Sequence, residues 1–167
     1  MKRSESKVNE IKPLPSDDAM QKKVVEVPPS VEAQSKKELK KYKGLYTYDA
    51  SAPHCYVILV PKGDVDGDLM KNTLNKYNAT NHPLLNLNVV ELTTKDFEHV
   101  YVVSSFASAD LGLSYMRQIV KFKDIKTVLG TLPYRNIVIS KDNLEVLKSS
   151  GNINVYMELY KRLYLNR

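Results

Sequence analysis

The chain has 167 residues, of which 43% are hydrophobic and 26% are charged, and its formal net charge is +6. These values predict one globular domain with a tail, and they exclude a membrane-spanning helix, since no run reaches the roughly 18–20 apolar residues required. The single cysteine, Cys55, excludes an internal disulfide. The positive charge is compatible with nucleic acid, acidic lipid or an acidic protein, and does not choose between them.

Residues 1–45 are predicted to form a basic disordered arm or linker. Lys, Glu, Ser, Pro and Gln dominate this segment, and Val24–Val27 is its only apolar cluster. Such a composition buries too little apolar surface to offset the entropy of ordering. A short exposed helix over residues 35–42 is the one element expected there. Residues 46–167 are then the folded domain.

The domain is predicted to be α+β, with the order β-α-β-β-α-β followed by two extra helices. Its first strand is the apolar run 55–60, whose two faces are both apolar, as in a strand covered on both sides. The other elements are a helix from Asp66 to about Asn78, strands at 85–89 and 100–103, a helix from Ser108 to about Phe122, a short helix near 126–129, a strand at 136–139, and helices at 140–150 and 153–164. This order is typical of a ferredoxin-like antiparallel sheet.

Side chains that cap helices mark several of these boundaries. Asp66, Ser108 and Ser140 each precede a helical pattern and are expected to accept hydrogen bonds from its first free N–H groups. Asn143 is expected to reach back toward Ser140, as in a weak capping box. Gly151 is expected to end the helix that Ser140 begins.

The sequence predicts no metal, no cofactor and no catalytic residue, so the domain is expected to be non-enzymatic. His54, His82 and His99 lie in separate elements without the spacing of metal ligands. Asp64, Asp66 and Asp68 resemble the start of a calcium loop, but position 12 of that loop is an asparagine. Neither a nucleophile elbow nor a phosphate-binding glycine loop is present.

Five of the eleven tyrosines are the candidate binding residues. Tyr56 and Tyr101 lie on the first and third strands, where RNA-recognition modules carry the aromatics that stack on bases. A single-stranded nucleic-acid binder is therefore the alternative function, although the third strand lacks the basic and aromatic signature of such modules. Tyr156, Tyr160 and Tyr164 form a stripe on the last helix, which suits either a core or a protein interface.

Several blocks of residues together indicate a family. The segment Tyr48-Asp49 followed by 52–59 resembles the start of the C-terminal domain of the SprE/PorW-like tetratricopeptide-repeat lipoproteins of Bacteroidetes, which serve gliding motility and type IX secretion. Later blocks resemble that domain in the same order: 76–78, 85–92, 105–115, 139–144 and 156–164. Gly112 departs from the family pattern, because alanine is usual at this position.

The resemblance implies a non-enzymatic, periplasmic component that is associated with the outer membrane and binds protein partners of a secretion or envelope complex. The chain would then be the protein-binding end of a longer exported protein, with the arm as the linker from its repeats. If Met1 is the native start, the sequence instead predicts a cytoplasmic protein, since no signal peptide follows it.

Overall fold

A computed structural model describes residues 42–166. The arm predicted over residues 1–45 and the helix predicted over 35–42 therefore lie outside the described residues, except for their last few positions. Residues 42–46 form a tight turn that is closed by a bridge between Tyr42 and Tyr46. Tyr46 is fully buried, so the described part of the chain packs against the core from its first residues.

The domain is α+β, as predicted, with one four-stranded antiparallel sheet. The strands are β1 (His54–Val60), β2 (Asn88–Leu92), β3 (His99–Phe106) and β4 (Arg135–Ser140). Their order in the sheet is β2-β3-β1-β4, and every neighbouring pair is antiparallel. All seven residues of β1 are buried, which confirms that both faces of this central strand are covered.

Within residues 42–166, five α-helices and a short π-helix accompany the sheet. They are α1 (Gly67–Asn81), α2 (Ala109–Ile119), α3 (Lys123–Leu129), α4 (Lys141–Ser150), α5 (Ile153–Tyr160) and a π-helical turn over Lys161–Leu165. The predicted helical face of α1 is confirmed, since Met70, Leu74 and Tyr77 are all buried. The last helix continues to Leu165 because the π-helical turn extends it by one more turn.

The sheet separates two apolar clusters, and we call its two sides the α1–α2 face and the α4 face. On the α1–α2 face, Tyr56, Ile58 and Val60 of β1 pack with side chains of the first three helices. On the α4 face, Cys55, Val57 and Leu59 pack with Tyr46 and with residues of α4 and α5. The period of two along β1 thus sends alternate side chains into different cores.

The three expected N-caps are confirmed. Asp66 accepts a hydrogen bond from the Leu69 N–H at 2.9 Å. The Ser108 and Ser140 hydroxyls accept from the N–H groups three residues later, at 3.4 and 3.3 Å. Gly151 ends α4 in the left-handed conformation, with φ of +64°, as expected for a glycine at this position.

Two local predictions are wrong. The second strand occupies Asn88–Leu92 and not 85–89, because Asn86 has φ of +45° and interrupts the extended backbone. The alternation of Leu85, Asn86 and Leu87 therefore belongs to a loop. The Asn143 amide does not reach back to the cap: it bonds the backbone of Thr47, accepting from its N–H at 3.0 Å and donating to its carbonyl at 2.6 Å.

Candidate functional site

The structure places Tyr56 and Tyr101 inside the core. Their exposed fractions are 1% and 0%. Both rings lie on the α1–α2 face, and the Tyr56 hydroxyl donates to the Asn136 amide oxygen at 2.8 Å. A base cannot stack on rings that helices already cover, so the described conformation does not present the surface that the nucleic-acid hypothesis requires.

The tyrosine stripe of the last helix is also buried, with exposed fractions of 0–2%. The Tyr156 hydroxyl donates to the Val138 carbonyl at 2.6 Å, and the Tyr164 hydroxyl lies 2.9 Å from His54 Nε2. The Tyr160 hydroxyl lies 3.4 Å from the Met116 sulfur. These three side chains therefore hold the last helix against the sheet and α2, and they do not form an exposed interface.

A pocket of about 360 Å³ opens where the end of α1 meets the start of α2. We call it the α1–α2 pocket, and its lining is His82, Leu85, Ser105, Phe106, Ala107, Leu111, Ser114, Tyr115 and Gln118. Two of the lining residues are leucines with large exposed fractions, 50% for Leu85 and 53% for Leu111, and Leu84, the residue before Leu85, is 92% exposed. An apolar mouth above a partly polar wall is typical of a site that receives another molecule.

Aromatic packing fixes the floor of this pocket. The Tyr115 ring lies 4.9 Å from the Phe106 ring and 5.1 Å from the His82 ring, measured between centroids. Its hydroxyl donates to the amide oxygen of Asn78 at 2.6 Å. Burial raises the pKa of Tyr115 far above its usual value, so the hydroxyl remains a donor at neutral pH. The floor is therefore largely pre-formed.

Two buried polar atoms near this floor have no hydrogen-bond partner among the described residues. They are the Asn78 amide nitrogen and His82 Nε2. Asn78 is only 5% exposed, and both residues line a smaller adjoining pocket of about 210 Å³. Because an unsatisfied buried group carries a desolvation cost, these two atoms give the region spare hydrogen-bonding capacity.

A second polar cluster joins the loop after β1 to strands β2 and β3. His99 Nδ1 lies 2.9 Å from a Glu91 carboxylate oxygen, and His99 Nε2 lies 3.2 Å from the Gly63 carbonyl. Lys71 stands 3.8 Å from the same carboxylate. Both neighbours of the imidazole are hydrogen-bond acceptors. This arrangement ties the loop to the sheet.

Cys55 faces the core and is 2% exposed. Burial raises the pKa of its thiol to about 11, so the thiolate needed for nucleophilic attack is scarce at neutral pH. In the described part of the chain, no three His, Cys, Asp or Glu side chains come close enough to hold a metal ion. His54 and Cys55 are consecutive residues of β1, whereas His99 lies in β3 and His82 at the end of α1.

The comparisons with known proteins return no match to this chain, whether with protein-family models, curated proteins or solved structures. Among residues 42–166, no helix has the length and apolarity needed to cross a membrane. The residues of the α1–α2 pocket were not predicted from the sequence. Their one local signal is Leu84-Leu85, an apolar pair that directly follows Pro83 at the end of a helix.

Proposed function

We propose that the domain is a non-enzymatic, ferredoxin-like protein-interaction module of a cell-envelope assembly. The strand order supports the fold assignment: β3 lies between β1 and β2, which α1 connects, as in a split β-α-β unit. In such a fold α4 and α5 are additions after the last strand. They pack on the α4 face and along β4.

One observation carries the interaction role: the exposed leucines at the mouth of the α1–α2 pocket. Leu85 and Leu111 line a pocket with an aromatic floor and are each at least half exposed. Apolar side chains grouped around a cavity are typical of surfaces that bind a protein partner. A partner that inserts an apolar side chain between Leu85 and Leu111 would bury both leucines against Phe106 and Tyr115.

The sequence resemblance supports the biological setting. The blocks at 52–59, 139–144 and 156–164 resemble the C-terminal domain of the SprE/PorW-like proteins. This resemblance supports a place in type IX secretion or gliding motility, in the periplasm at the outer membrane. The partners are then protein components of that envelope complex.

The test is capture of partners from envelope extracts of the source organism by the immobilised full-length chain, followed by mass spectrometry. Leu111→Lys is the test variant and Leu165→Lys is its matched control, because both leucines are 53% exposed. We expect that some envelope proteins bind to the wild type and to Leu165→Lys but do not bind to Leu111→Lys. Identical capture by all three proteins would contradict a role for the pocket.

A second measurement separates the proposal from the nucleic-acid alternative. The same protein is titrated with a mixed pool of single-stranded RNA and DNA at rising salt concentration. Tight binding that weakens steeply with salt would favour nucleic acid over a protein partner. We expect only weak binding to either nucleic acid.

A further inference from the structure

The two edges of the sheet differ in how their backbone groups are satisfied. At the β4 edge, the Tyr156 hydroxyl donates to the Val138 carbonyl, and α5 packs beside it. At the other edge, β2 pairs with β3 alone, and within residues 42–166 the backbone of Asn88–Leu92 makes no other hydrogen bond. Because alternate residues of an edge strand direct N–H and C=O groups outward, the outward groups of β2 are donors and acceptors that have no partner among residues 42–166.

The side chains of β2 do little to protect this edge. The strand reads Asn-Val-Val-Glu-Leu and contains neither the lysine nor the proline that commonly blocks edge pairing. Its one charged residue, Glu91, pairs with Tyr101 in the register and so lies on the α1–α2 face. There its carboxylate contacts His99 and Lys71, which directs the charge away from the other face of the strand.

A groove lies beside β2 on the α4 face. Val90 and Leu92 are on this face, since their partners in β3 are Val102 and Val100, and Val90 is 38% exposed. The first turn of α4 forms the opposite wall. The groove encloses about 260 Å³, and its lining is Cys55, Val90, Leu92, Val102, Ser104, Lys141, Asp142, Leu144 and Glu145. A strand added to β2 would direct every second side chain toward this apolar groove.

We propose that β2 binds an extended peptide segment of a protein partner as a fifth strand, with apolar side chains at alternate positions in the groove. An edge of five residues is about 17 Å long. Two such edges pairing across a dimer would bury far less than the roughly 800 Å² per partner of a standard interface. A peptide strand needs only main-chain hydrogen bonds and side-chain pockets for affinity and specificity.

The groove and the α1–α2 pocket share no lining residue, so this second surface is independent of the pocket.

The test uses the full-length chain and a phage-displayed library of random dodecapeptides, with selected sequences then synthesised and labelled. We expect them to alternate apolar and polar residues. N-methylation of every second peptide residue should abolish binding, whereas N-methylation of the intervening residues should be tolerated, because only one set donates to β2. Val90→Lys should weaken binding by about tenfold or more, since the charge lies in the groove. Val120→Lys, at an equally exposed valine, should leave binding unchanged.

Each of the following results would overturn the proposal. If the selected peptides bind to Val90→Lys but not to Leu111→Lys, their binding site is the α1–α2 pocket. That result would contradict a role for β2 and agree with the proposed function. Concentration-dependent dimerisation that Val90→Lys abolishes would show that a second copy pairs with β2. Binding that is observed only after removal of residues 1–41 would show that the chain's own N-terminal segment occupies the edge. The proposal would also be overturned if no selected peptide bound at β2.

Discussion

His54 and Tyr164 join the first strand to the last turn of the chain through a 2.9 Å contact between His54 Nε2 and the tyrosine hydroxyl. The other ring nitrogen, Nδ1, lies 2.6 Å from the Ala52 carbonyl, which can only accept. Nδ1 therefore carries the proton, and Nε2 accepts from Tyr164. His54 is fully buried, so a neutral imidazole with both nitrogens satisfied closes the domain at this point.

The stability of the protein should fall as the pH decreases from neutral. Burial lowers the pKa of His54 below its ordinary value of 6.5. The unfolded chain therefore binds a proton at a pH where the folded chain does not, and the free energy of unfolding decreases from about pH 6.5 down to the folded pKa. Urea denaturation across this range, with His54→Gln for comparison, measures the slope, and NMR of the imidazole measures the pKa. A His54 titration at or above 6.5 would contradict the expectation.

Tyr164→Phe should reduce the free energy of unfolding by about 1–3 kcal/mol, because it leaves His54 Nε2 buried without a partner. Tyr77→Phe is the matched control. Tyr77 is also buried, but within residues 42–166 its hydroxyl makes no hydrogen bond. Its loss should cost no more than about 0.5 kcal/mol. Equal effects of the two substitutions in urea denaturation would show that the His54 contact contributes nothing measurable.

Local sequence patterns were sufficient to predict the central strand and the helix caps. The run 55–60 is apolar on both faces, and Asp66 and Ser108 occupy positions where only the first turn of a helix offers free N–H groups. Local patterns failed between Leu85 and Leu87, where strict alternation imitates a strand but one left-handed residue, Asn86, makes a loop. The tertiary fold decides which alternating segment pairs with β3.

The α1–α2 pocket could not be predicted because no local pattern connects its walls. His82 ends α1, Phe106 ends β3 and Leu111 lies in the first turn of α2. These residues are brought together only when both helices pack on the same face of the sheet. The tyrosine stripe of the last helix illustrates the same limit. The spacing of these tyrosines predicts a stripe correctly, but composition does not reveal whether other elements cover it.

Gly112→Ala should destabilise the protein although alanine is the better helix former. The α-carbon of Gly112 approaches β4 so closely that an added Cβ would lie 2.8 Å from Cγ1 of Val138, a buried side chain with little freedom to move. Overpacking of this kind typically costs about 1–3 kcal/mol. The gain in helix propensity is about 1 kcal/mol and offsets only part of that cost.

A double-mutant cycle with Val138→Ala tests this cause. Removing the two methyl groups of Val138 creates room for the new Cβ, so Gly112→Ala should become neutral or stabilising in the Val138→Ala background. The coupling energy from urea denaturation should have the sign of a relieved clash and a size of about 1 kcal/mol or more. Additive effects of the two substitutions would show that the approach of α2 to β4 does not require a glycine.

Asn143→Asp should destabilise the protein more at neutral pH than in acid. Asn143 is 1% exposed, and its amide nitrogen donates to the Thr47 carbonyl, which ties the first described segment to α4. A carboxylate at this position would lose the donor and face a carbonyl oxygen, a change that costs about 3 kcal/mol or more for a buried charge. The same repulsion raises the folded-state pKa of the new carboxyl above its unfolded value of about 3.9. Part of the stability should therefore return as the pH falls toward 4, because the protonated acid can donate again.

Asn152→Asp is the matched control for this substitution. Asn152 caps α5 by accepting a hydrogen bond from the Val155 N–H at 3.3 Å, and aspartate is as good an N-cap as asparagine. Its carboxylate also interacts favourably with the helix dipole, so Asn152→Asp should be neutral or slightly stabilising at neutral pH. Urea denaturation of both variants between pH 4 and 7 provides the comparison. If Asn143→Asp loses no more stability than Asn152→Asp, the amide of Asn143 does not hold the Thr47 segment in place.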